Sequence, residues 1–356
     1  MKKKVRMMSR KIEIAEQVME HMVEEVVEDK KVKKQITIEE LPGVGAATAE
    51  KLKLAGFDTM MAIAVASPAE LVEVAGVGEA VARKIINTAR SKLDMGFESG
   101  EDLMKRAERI ERITTGSKEL DRLLGGGIET GTITEAHGAY SSGKSQIGYQ
   151  LCVNTQLPKE KGGLNAGVVF LDTESTFRVS RIKELAEAAG LDYLNVLKNI
   201  KVVRCFNSDH QTLVTEKISD LITKEKFPVR VIVVDSLMSH FRADFAGRGM
   251  LADRQQKLNK HIHVLQKLAD MYNVAVYVTN QVMSKPDTFF GDPTEAIGGN
   301  ILAHGCNIRV YLRKGKKGTR VAKLVDSSYL PPAEIIFMIT EQGIKDVKDA
   351  DKDKEE

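Results

Sequence analysis

A short glycine-rich segment carries the clearest chemical signal in the sequence. The pattern G-x-x-x-x-G-K-[ST] is matched by Gly138, Ala139, Tyr140, Ser141, Ser142, Gly143, Lys144 and Ser145. The glycines free backbone N–H groups to surround a β-phosphate, the lysine places a cation between the β- and γ-phosphates, and the final hydroxyl is a Mg²⁺ ligand. An apolar run precedes the motif, and a helical pattern starting at Gln146 follows it. The segment therefore predicts binding of a nucleoside triphosphate with Mg²⁺.

An aspartate follows a second apolar run. Residues 231–234 are Val-Ile-Val-Val, and Asp235 comes directly after them. In parallel sheets ligands gather beyond the carboxyl ends of the strands. We expect Asp235 to hold the water shell of the Mg²⁺ that Ser145 also binds, although a strand-end aspartate can also cap a helix.

Two more polar side chains follow apolar runs. Glu174 comes after residues 167–171, and Gln281 comes after residues 274–278. A carboxylate near a γ-phosphate can orient and polarise the attacking water, and a neutral amide can detect that phosphate. Each residue alone fits an ordinary strand terminus equally well. Their convergence on one crevice would favour hydrolysis over passive binding.

Two long segments without regular periodicity follow two of these strands. Loops of this length are usually functional or disordered. Arginines for phosphate and aromatic rings for stacking suit a single-stranded nucleic acid, whereas the alternative is a pair of lids over the nucleotide. The candidate DNA-binding residues are Arg242, Arg248, Arg254, Lys285, Phe290, Gly298 and Gly299.

The elements that must position these residues alternate along the chain. Short β-branched runs (132–136, 167–171, 231–234, 274–278 and 308–312) alternate with helical patterns (182–189, 213–223 and 254–271). Continuous apolar strands separated by helices indicate an α/β domain, with a mostly parallel sheet covered by helices on both faces. We place this domain at residues 113–345 and expect a disordered tail at 346–356.

An internal repeat precedes that domain. Leu-Pro-Gly-Val-Gly at 41–45 recurs as Val-Ala-Gly-Val-Gly at 74–78, each time leading into a helical pattern. The second glycine of each pair lies where a helix would begin, and free amides there can bind a phosphate. Residues 37–93 therefore predict a small all-α helix-hairpin-helix domain. It would contact DNA backbone without reading sequence, or serve only in packing or protein docking.

The remaining segments are less informative. Residues 1–36 include apolar positions at helical spacing, which predict a helical extension that packs on a neighbour or forms a coiled coil. Residues 94–112 form a polar linker in which Phe97 has no local core and is a candidate anchor for another surface.

Composition excludes several classes of protein. Hydrophobic residues make up 42% of the 356 residues and charged residues 29%, which is typical of a globular protein. No run approaches the roughly 20 apolar residues of a membrane span. Three scattered cysteines and the lack of an apolar leader favour a cytoplasmic location without membrane association. A net charge of +3 is too small to indicate nucleic acid by itself.

Taken together, these motifs resemble those of the RecA-type strand-exchange recombinases, and in particular their archaeal RadA branch. The resemblance spans residues 38–345. It implies a RecA-like fold and a DNA-dependent ATPase, with ATP and Mg²⁺ as cofactors, that forms filaments on single-stranded DNA and pairs it with double-stranded DNA. It also implies a homo-oligomer, as a helical filament or ring, and mediator proteins as further partners.

The resemblance also assigns roles to residues. It implies that Glu174 is the catalytic carboxylate, assisted by Lys144 and by Gln281, which would couple the γ-phosphate to the second DNA loop. Arg181 would lie against the adenine. His304 and Asp326 would approach the nucleotide of a neighbouring subunit, and Phe97 would insert into the next core domain as the oligomerisation residue.

The sequence departs from the family pattern at several positions. Residues 139–142 read Ala-Tyr-Ser-Ser where an aromatic residue followed by Gly or a basic residue is usual, and Ser145 replaces Thr. Ser175 follows Glu174 where the family has Gly, and Asn300 stands where relatives often have His. The two changes in the phosphate loop retain the backbone cradle and the metal oxygen, so we expect nucleotide binding to survive.

Two alternative functions share the same core. A hexameric replicative helicase would also bind ATP at this motif, but the helix-hairpin-helix pattern and Phe97 argue against it. A non-enzymatic accessory protein would bind ATP and DNA without exchanging strands, but the presence of Glu174, Gln281 and both loops argues against that.

Overall fold

The structure is a computed structural model, and it describes residues 38–92, 99–284 and 294–347. The chain divides into two compact units, Met1–Glu101 and Asp102–Glu356. Each unit is treated by itself.

The first unit is a small helical domain. Its helices are α1 (Ala46–Leu54), α2 (Met60–Val65), α3 (Pro68–Ala75) and α4 (Glu79–Lys92), after a 3₁₀ turn at Ile38–Glu40. Thr59 caps α2, and Ser67 caps α3 through a capping box with Glu70, so local hydrogen bonds fix both helix starts. A separate apolar core that includes Leu52, Ile63 and Leu71 holds the helices together.

The repeated glycines lie at the helix starts that the sequence predicts. Gly45 is the residue before α1, and its carbonyl accepts the N–H of Ala49. Gly78 lies directly before α4, and its carbonyl accepts the N–H of Ala82. Neither position has a side chain over the helix end, so the first amides of both helices remain available to an external anion.

The second unit is built on a nine-stranded sheet. The strands are β3 (Ile133–Gly138), β4 (Gly167–Asp172), β5 (Ile200–Arg204), β6 (Val229–Asp235), β7 (Ala275–Asn280), β10 (Ile308–Lys314), β11 (Arg320–Ser327), β12 (Glu334–Thr340) and β13 (Gly343–Asp346). Their order in the sheet is β13-β12-β11-β10-β3-β7-β6-β4-β5. Pairing is parallel from β10 through β3, β7, β6 and β4 to β5, and antiparallel from β10 to β13.

Two short hairpins complete the strands. One pairs β1 (Arg112–Ile113) with β2 (Ile128–Glu129), and the other pairs β8 (Val282–Ser284) with β9 (Thr294–Ala296). The described helices that accompany the sheet are α5 (Gly100–Ala107), α6 (Lys118–Leu123), α7 (Lys144–Asn154), α8 (Val179–Ala188), α9 (Tyr193–Lys198), α10 (Ser208–Thr223), α11 (Ser239–Asp244), α12 (Leu251–Tyr272) and α13 (Gly299–Gly305).

Alternate residues of the central strands pack into two different cores. Val231 and Val233 of β6 belong to one cluster, together with α7 and α8 residues, whereas Ile232 and Val234 belong to a second cluster with α12 residues. Because successive strand side chains point to opposite faces, the two clusters are the two covered faces of the sheet. This explains why the strands read as unbroken apolar runs.

The five strands and three helices that the sequence predicts are present with slightly different ends. The antiparallel strands β11 to β13 and the edge strand β5 were missed: charged residues interrupt the apolar ones in β5 and β11, whereas β12 contains an apolar run at residues 335–339 that the prediction overlooked. Asp346, which the sequence assigned to the disordered tail, is instead the last residue of β13, and its carboxylate accepts the backbone N–H groups of Lys118 and Glu119. The ordered core therefore extends further than predicted.

No helix in the described ranges has the length and apolar character required to span a bilayer.

Candidate nucleotide site

The glycine-rich motif forms the turn between β3 and α7. Gly138 ends the strand and Gly143 precedes the helix, in a left-handed conformation with φ of 110°. A Cβ atom on Gly138 would lie 2.1 Å from the carbonyl oxygen of Leu312, so only glycine allows this approach. The turn places the free amides of the α7 N-terminus at the mouth of a cavity, where they can bind an anion.

The ammonium group of Lys144 is held by the same turn. Its Nζ donates to the carbonyl oxygens of Gly138 at 2.9 Å and Ala139 at 3.0 Å. Burial lowers the pKa of Lys144, and the nearby carboxylates of Asp235 and Glu174 oppose that shift. The result is a cation poised beside the loop, able to exchange its carbonyl partners for phosphate oxygens.

Asp235 lies next to Ser145, as the sequence predicts. It is the last residue of β6, is almost completely buried, and accepts hydrogen bonds from the hydroxyls of Thr279, Ser145 and Thr176. Burial raises the pKa of Asp235, while these hydrogen bonds act in the opposite direction. Thr279 was not identified from the sequence, although it stands two residues before Gln281 in the same strand end.

Glu174 and Gln281 meet in the same crevice. The Nε2 of Gln281 donates to Oε1 of Glu174 at 3.0 Å, and the hydroxyl of Ser236 donates to that oxygen at 2.7 Å. Gln281 also accepts from Nη1 of Arg242, at 3.4 Å. A continuous chain of polar contacts therefore runs from the carboxylate to the base of the first candidate DNA loop.

These groups line one cavity of about 840 Å³, which is large enough for a nucleotide. Its walls include all eight motif residues together with Gln146, Arg181, Glu174, Asp235 and Gln281. The sequence missed several other lining residues, which come from α7, from the segment between β4 and α8, from strand ends and from the antiparallel ribbon: Tyr149, Thr176, Arg178, Ser236, Thr279, Arg320, Ile339, Thr340 and Glu341.

Arg181 lies on the wall of this cavity with its guanidinium already bonded. Its Nε donates to Gln146 at 3.0 Å, and its two Nη atoms donate to the carbonyl oxygens of Glu341 and Thr340 at 2.7 Å. These bonds fix the flat face of the guanidinium in place, which suits stacking against a base. Tyr140, by contrast, is 92% exposed.

Two departures from the family pattern have a backbone consequence. Ser141, at the position after the aromatic Tyr140, has φ of 59°, and Ser175 has φ of 58°. Both serines therefore adopt the left-handed conformation that favours glycine. A glycine would adopt this conformation after Glu174 without strain.

His304 and Asp326 do not line the cavity. Within β10, Leu312 pairs with Gly138 of the motif, whereas Ile308 pairs with Ser327, the neighbour of Asp326. Asp326 thus lies at the other end of the strand from the nucleotide cradle, and His304 lies four residues before β10 begins. Neither residue can reach the cavity of its own subunit.

The candidate DNA loops are anchored near the cavity. The β8–β9 hairpin forms the base of the second loop, and the N–H of Ile297 donates to the carbonyl oxygen of Gln281 at 3.0 Å. Gln255 of α12 donates to the carbonyl oxygen of Gly298 at 3.3 Å, which links the two loops. Arg254 is partly buried on α12, and Gly298 and Gly299 begin α13.

Four predicted residues cannot be placed. Phe97, Lys285 and Phe290, together with the side chain of Arg248, lie outside the described residues. The N-terminal extension and residues 348–356 also lie outside them.

A basic cleft of about 580 Å³ lies on the other side of β3 and β10. Its walls include His137, Arg309, Arg313 and Lys323, with Glu334 as the acidic residue that pairs with Arg313. The side chain of Arg309 is neutralised by the buried carboxylate of Glu135 at 2.6 Å. The sequence did not predict this cleft, because residues of four strands, β3, β10, β11 and β12, build it.

Comparison with known proteins agrees with this architecture. Residues 105–347 match the Rad51 family, and residues 36–91 match the SAM-like helix-hairpin-helix tandem. The chain is 50% identical over 319 residues to the DNA repair and recombination protein RadA of Aeropyrum pernix, covering 90% of this chain and 99% of that protein. With its RecA-like core and helix-hairpin-helix domain, the chain belongs to the Rad51 family.

Proposed function

We propose that this protein is a DNA-dependent ATPase that assembles on single-stranded DNA and promotes homologous pairing and strand exchange in recombinational repair. Family membership and the similarity to a DNA repair and recombination protein support this function. The observation that carries it is the contact chain from Glu174 through Gln281 to Arg242. It connects a phosphate-binding cavity directly to a candidate DNA loop.

The cavity fits ATP with Mg²⁺. The hydroxyl of Ser145 and the carboxylate of Asp235 supply two adjacent hard oxygen donors. Among the described residues no group of three or more His, Cys, Asp or Glu side chains forms a metal site, which suits an ion held partly by phosphates and water. Magnesium, when bound, would neutralise charge on the β- and γ-phosphate oxygens.

Protein groups would then act on the triphosphate in turn. Lys144 and the α7 amides hold the β- and γ-phosphates, and Arg181 lies against the adenine. Glu174 orients and polarises the attacking water. One oxygen of Glu174 accepts hydrogen bonds from Ser236 and Gln281. A γ-phosphate that draws Gln281 away would alter the contact with Arg242, and in this way the nucleotide would switch the loops between DNA-binding states.

A complete catalytic site needs two subunits in this proposal. His304 and Asp326 lie away from the cavity of their own chain and would contact the nucleotide of a neighbour. Phe97 would insert into the next core domain. Such a head-to-tail contact generates a ring where the rotation between subunits closes and an open helical filament where it does not.

DNA would be held by three surfaces. Arg242, Arg248, Arg254 and the loop from Lys285 through Phe290 to Gly298 and Gly299 would line the filament axis. The basic cleft near Lys323 extends this positive surface. The helix starts at Gly45 and Gly78 would contact duplex backbone. Mediator proteins and a cytoplasmic location complete the proposal.

The two alternatives are less well supported. A replicative helicase is disfavoured by the Rad51-family core and the helix-hairpin-helix match. An accessory protein without turnover is disfavoured by the contact between Glu174 and Gln281 inside a complete phosphate site.

The test is ATP hydrolysis with and without single-stranded DNA over a range of protein concentrations. We expect stimulation by DNA and a rate per subunit that rises steeply with concentration, because the site is shared between subunits. A strand-exchange assay with homologous duplex separates a recombinase from an accessory protein. A rate per subunit independent of both DNA and concentration would contradict the proposal.

The assembly contact has its own test. Phe97→Glu should yield monomers in light scattering, because a charge cannot be buried in an apolar pocket without a partner. Monomers should still bind a fluorescent ATP analogue. Unchanged large assemblies would remove Phe97 from the interface.

A further inference from the structure

Tyr329 combines a surface-exposed ring with an anchored hydroxyl. The residue is 51% exposed and lies in the turn that follows β11. Its OH donates to Oε2 of Glu129 at 2.8 Å. An exposed tyrosine gains little from such a bond unless its acceptor is fixed, because ordering the side chain costs conformational entropy.

The acceptor is fixed. Glu129 ends β2 and is almost completely buried, and Arg112, its partner in the β1–β2 ladder, donates to the same carboxylate oxygen at 2.7 Å. Charge-assisted hydrogen bonds of this kind are short and strong. Burial raises the pKa of Tyr329, and the contact with Glu129 raises it further, so the phenol remains a donor at neutral pH.

The turn itself is tied down at two further points. The hydroxyl oxygen of Ser327 accepts the backbone N–H groups of Tyr329 at 3.4 Å and Leu330 at 3.3 Å. Leu330 packs so closely on Gly125 that a Cβ atom there would lie 3.0 Å from its Cδ2. Residues 327–330 are therefore held against the segment from Gly125 to Glu129.

Asp326 directly precedes this turn. It is exposed, and the β10–β11 register shifts between Arg309, its ladder partner, and Val310. In the described part of the chain no ion pair restrains its carboxylate. The ladder is irregular on one side of Asp326, and on the other side only the pair between Ile308 and Ser327 separates Asp326 from the turn.

We propose that Tyr329 is a positioning residue that, through Glu129 and Arg112, holds Asp326 in place to contact the nucleotide of a neighbouring subunit. The inference rests on the proposed role of Asp326 between subunits. Tyr329 acts through the backbone of residues 327–330 and does not itself take part in hydrolysis.

The test compares Tyr329→Phe with wild type in the full-length protein with single-stranded DNA. Loss of one hydrogen bond to a charged group should raise both KM for ATP and the protein concentration at half-maximal rate about three- to tenfold. The kcat at saturating protein should change less than about twofold. Binding of a fluorescent ATP analogue at dilute, unassembled protein should be unchanged, because the subunit's own cavity is untouched.

Three further variants make the result decisive. Asp326→Asn should raise KM for ATP and the protein concentration at half-maximal rate, as Tyr329→Phe does. The double variant should differ little from Asp326→Asn alone. Glu129→Gln keeps a hydrogen-bond acceptor for Tyr329 but weakens the contact with Arg112. Its KM for ATP should lie between those of wild type and Tyr329→Phe. Tyr193→Phe, which removes a phenol from α9, should leave KM and concentration dependence unchanged.

Distinct outcomes would overturn the proposal. If Asp326→Asn raises KM but Tyr329→Phe only lowers the melting temperature, Tyr329 is merely structural and the proposed function stands. If Asp326→Asn has no effect on KM or on concentration dependence, the intersubunit role of Asp326 fails, and the role of Tyr329 fails with it.

Discussion

The two ends of β10 carry opposite kinds of site. At the end next to Gly138, the functional groups are crowded together: Lys144, Ser145, Asp235 and Glu174 line one cavity and already bond to one another or to the loop. At the other end, Asp326 is exposed and only its backbone is held.

The difference follows from how strands are arranged. Parallel strands bring their carboxyl ends to one edge, so several polar termini converge within a single chain. Asp326 lies on an antiparallel strand whose end points away from that edge. One end of β10 thus gathers the candidate nucleotide-binding groups within a single chain, whereas the exposed end would, under the proposed function, act on a second copy of the chain.

The largest expected effect tests the nucleotide-binding end of β10 alone. Lys144→Ala should weaken ATP binding about 100-fold, because it removes the half-buried cation that would face the phosphates. The loss should be equally large in dilute monomers and in assemblies, as measured with a fluorescent analogue. Lys161→Ala, an exposed lysine outside the cavity, is the control. Unchanged ATP binding by the Lys144→Ala variant would show that the phosphates are bound elsewhere.

Glu174→Gln separates binding from turnover at the same end. The amide keeps the size of the side chain and a hydrogen bond to Gln281 or Ser236, but it is a poor base. We expect ATP affinity to stay within about threefold while the hydrolysis rate falls about 100-fold or more, measured by phosphate release. Glu187→Gln on α8 should leave both unchanged. Normal hydrolysis by the Glu174 variant would refute the carboxylate assignment.

Asp235→Asn tests whether burying the Asp235 carboxylate in the cavity lowers the free energy of unfolding. Burial raises the folded-state pKa of Asp235 above its ordinary 3.8, so ionisation disfavours the folded state as pH rises above that value. The variant cannot ionise, and without nucleotide it should be about 1 kcal/mol more stable than wild type at neutral pH. The gain should vanish in acid and should be reversed when Mg²⁺ and ATP are added.

Asp220→Asn is the matched control, for which we expect a stability change of the opposite sign. Hydrogen bonding and charge from Lys224, with a smaller contribution from Lys217, lower the pKa of Asp220. Its ionised form favours the folded state above the ordinary pKa, so this variant should lose stability at neutral pH. Urea unfolding of both variants across pH measures the difference. A gain for Asp220→Asn, or none for Asp235→Asn, would contradict the electrostatic account.

The smallest effect concerns backbone strain beside Glu174. Ser175 has φ of 58°, a conformation that costs a non-glycine residue about 1–2 kcal/mol. Ser175→Gly relieves that cost but adds flexibility to the unfolded chain, for a net gain of about 0.5 kcal/mol. Ser328→Gly, where φ is not positive, should give a small loss instead. Thermal unfolding of both proteins gives the comparison, and equal losses would show that position 175 is not strained.

Part of this arrangement was accessible from the sequence because it depends on local patterns. The motif from Gly138 to Ser145 predicts its own turn, and each apolar run predicts a strand whose last residue faces a shared edge. That rule placed Asp235, Glu174 and Gln281 in one crevice, and the structure has them there. It could not pair Ser236 with Glu174, or Arg242 with Gln281, since side-chain contacts between separate strand ends have no local signature.

What the sequence alone determined is the alternation of the five predicted strands with helices, the phosphate loop and the set of polar strand ends, because periodicity and turn chemistry are local properties of the chain. What only the tertiary structure decided is the order of strands in the sheet. That order placed the antiparallel ribbon beside β3, assembled the basic cleft from four strands and anchored Tyr329 on Glu129, 200 residues away. The physical reason is that contacts between distant segments depend on how the whole sheet buries its two apolar faces.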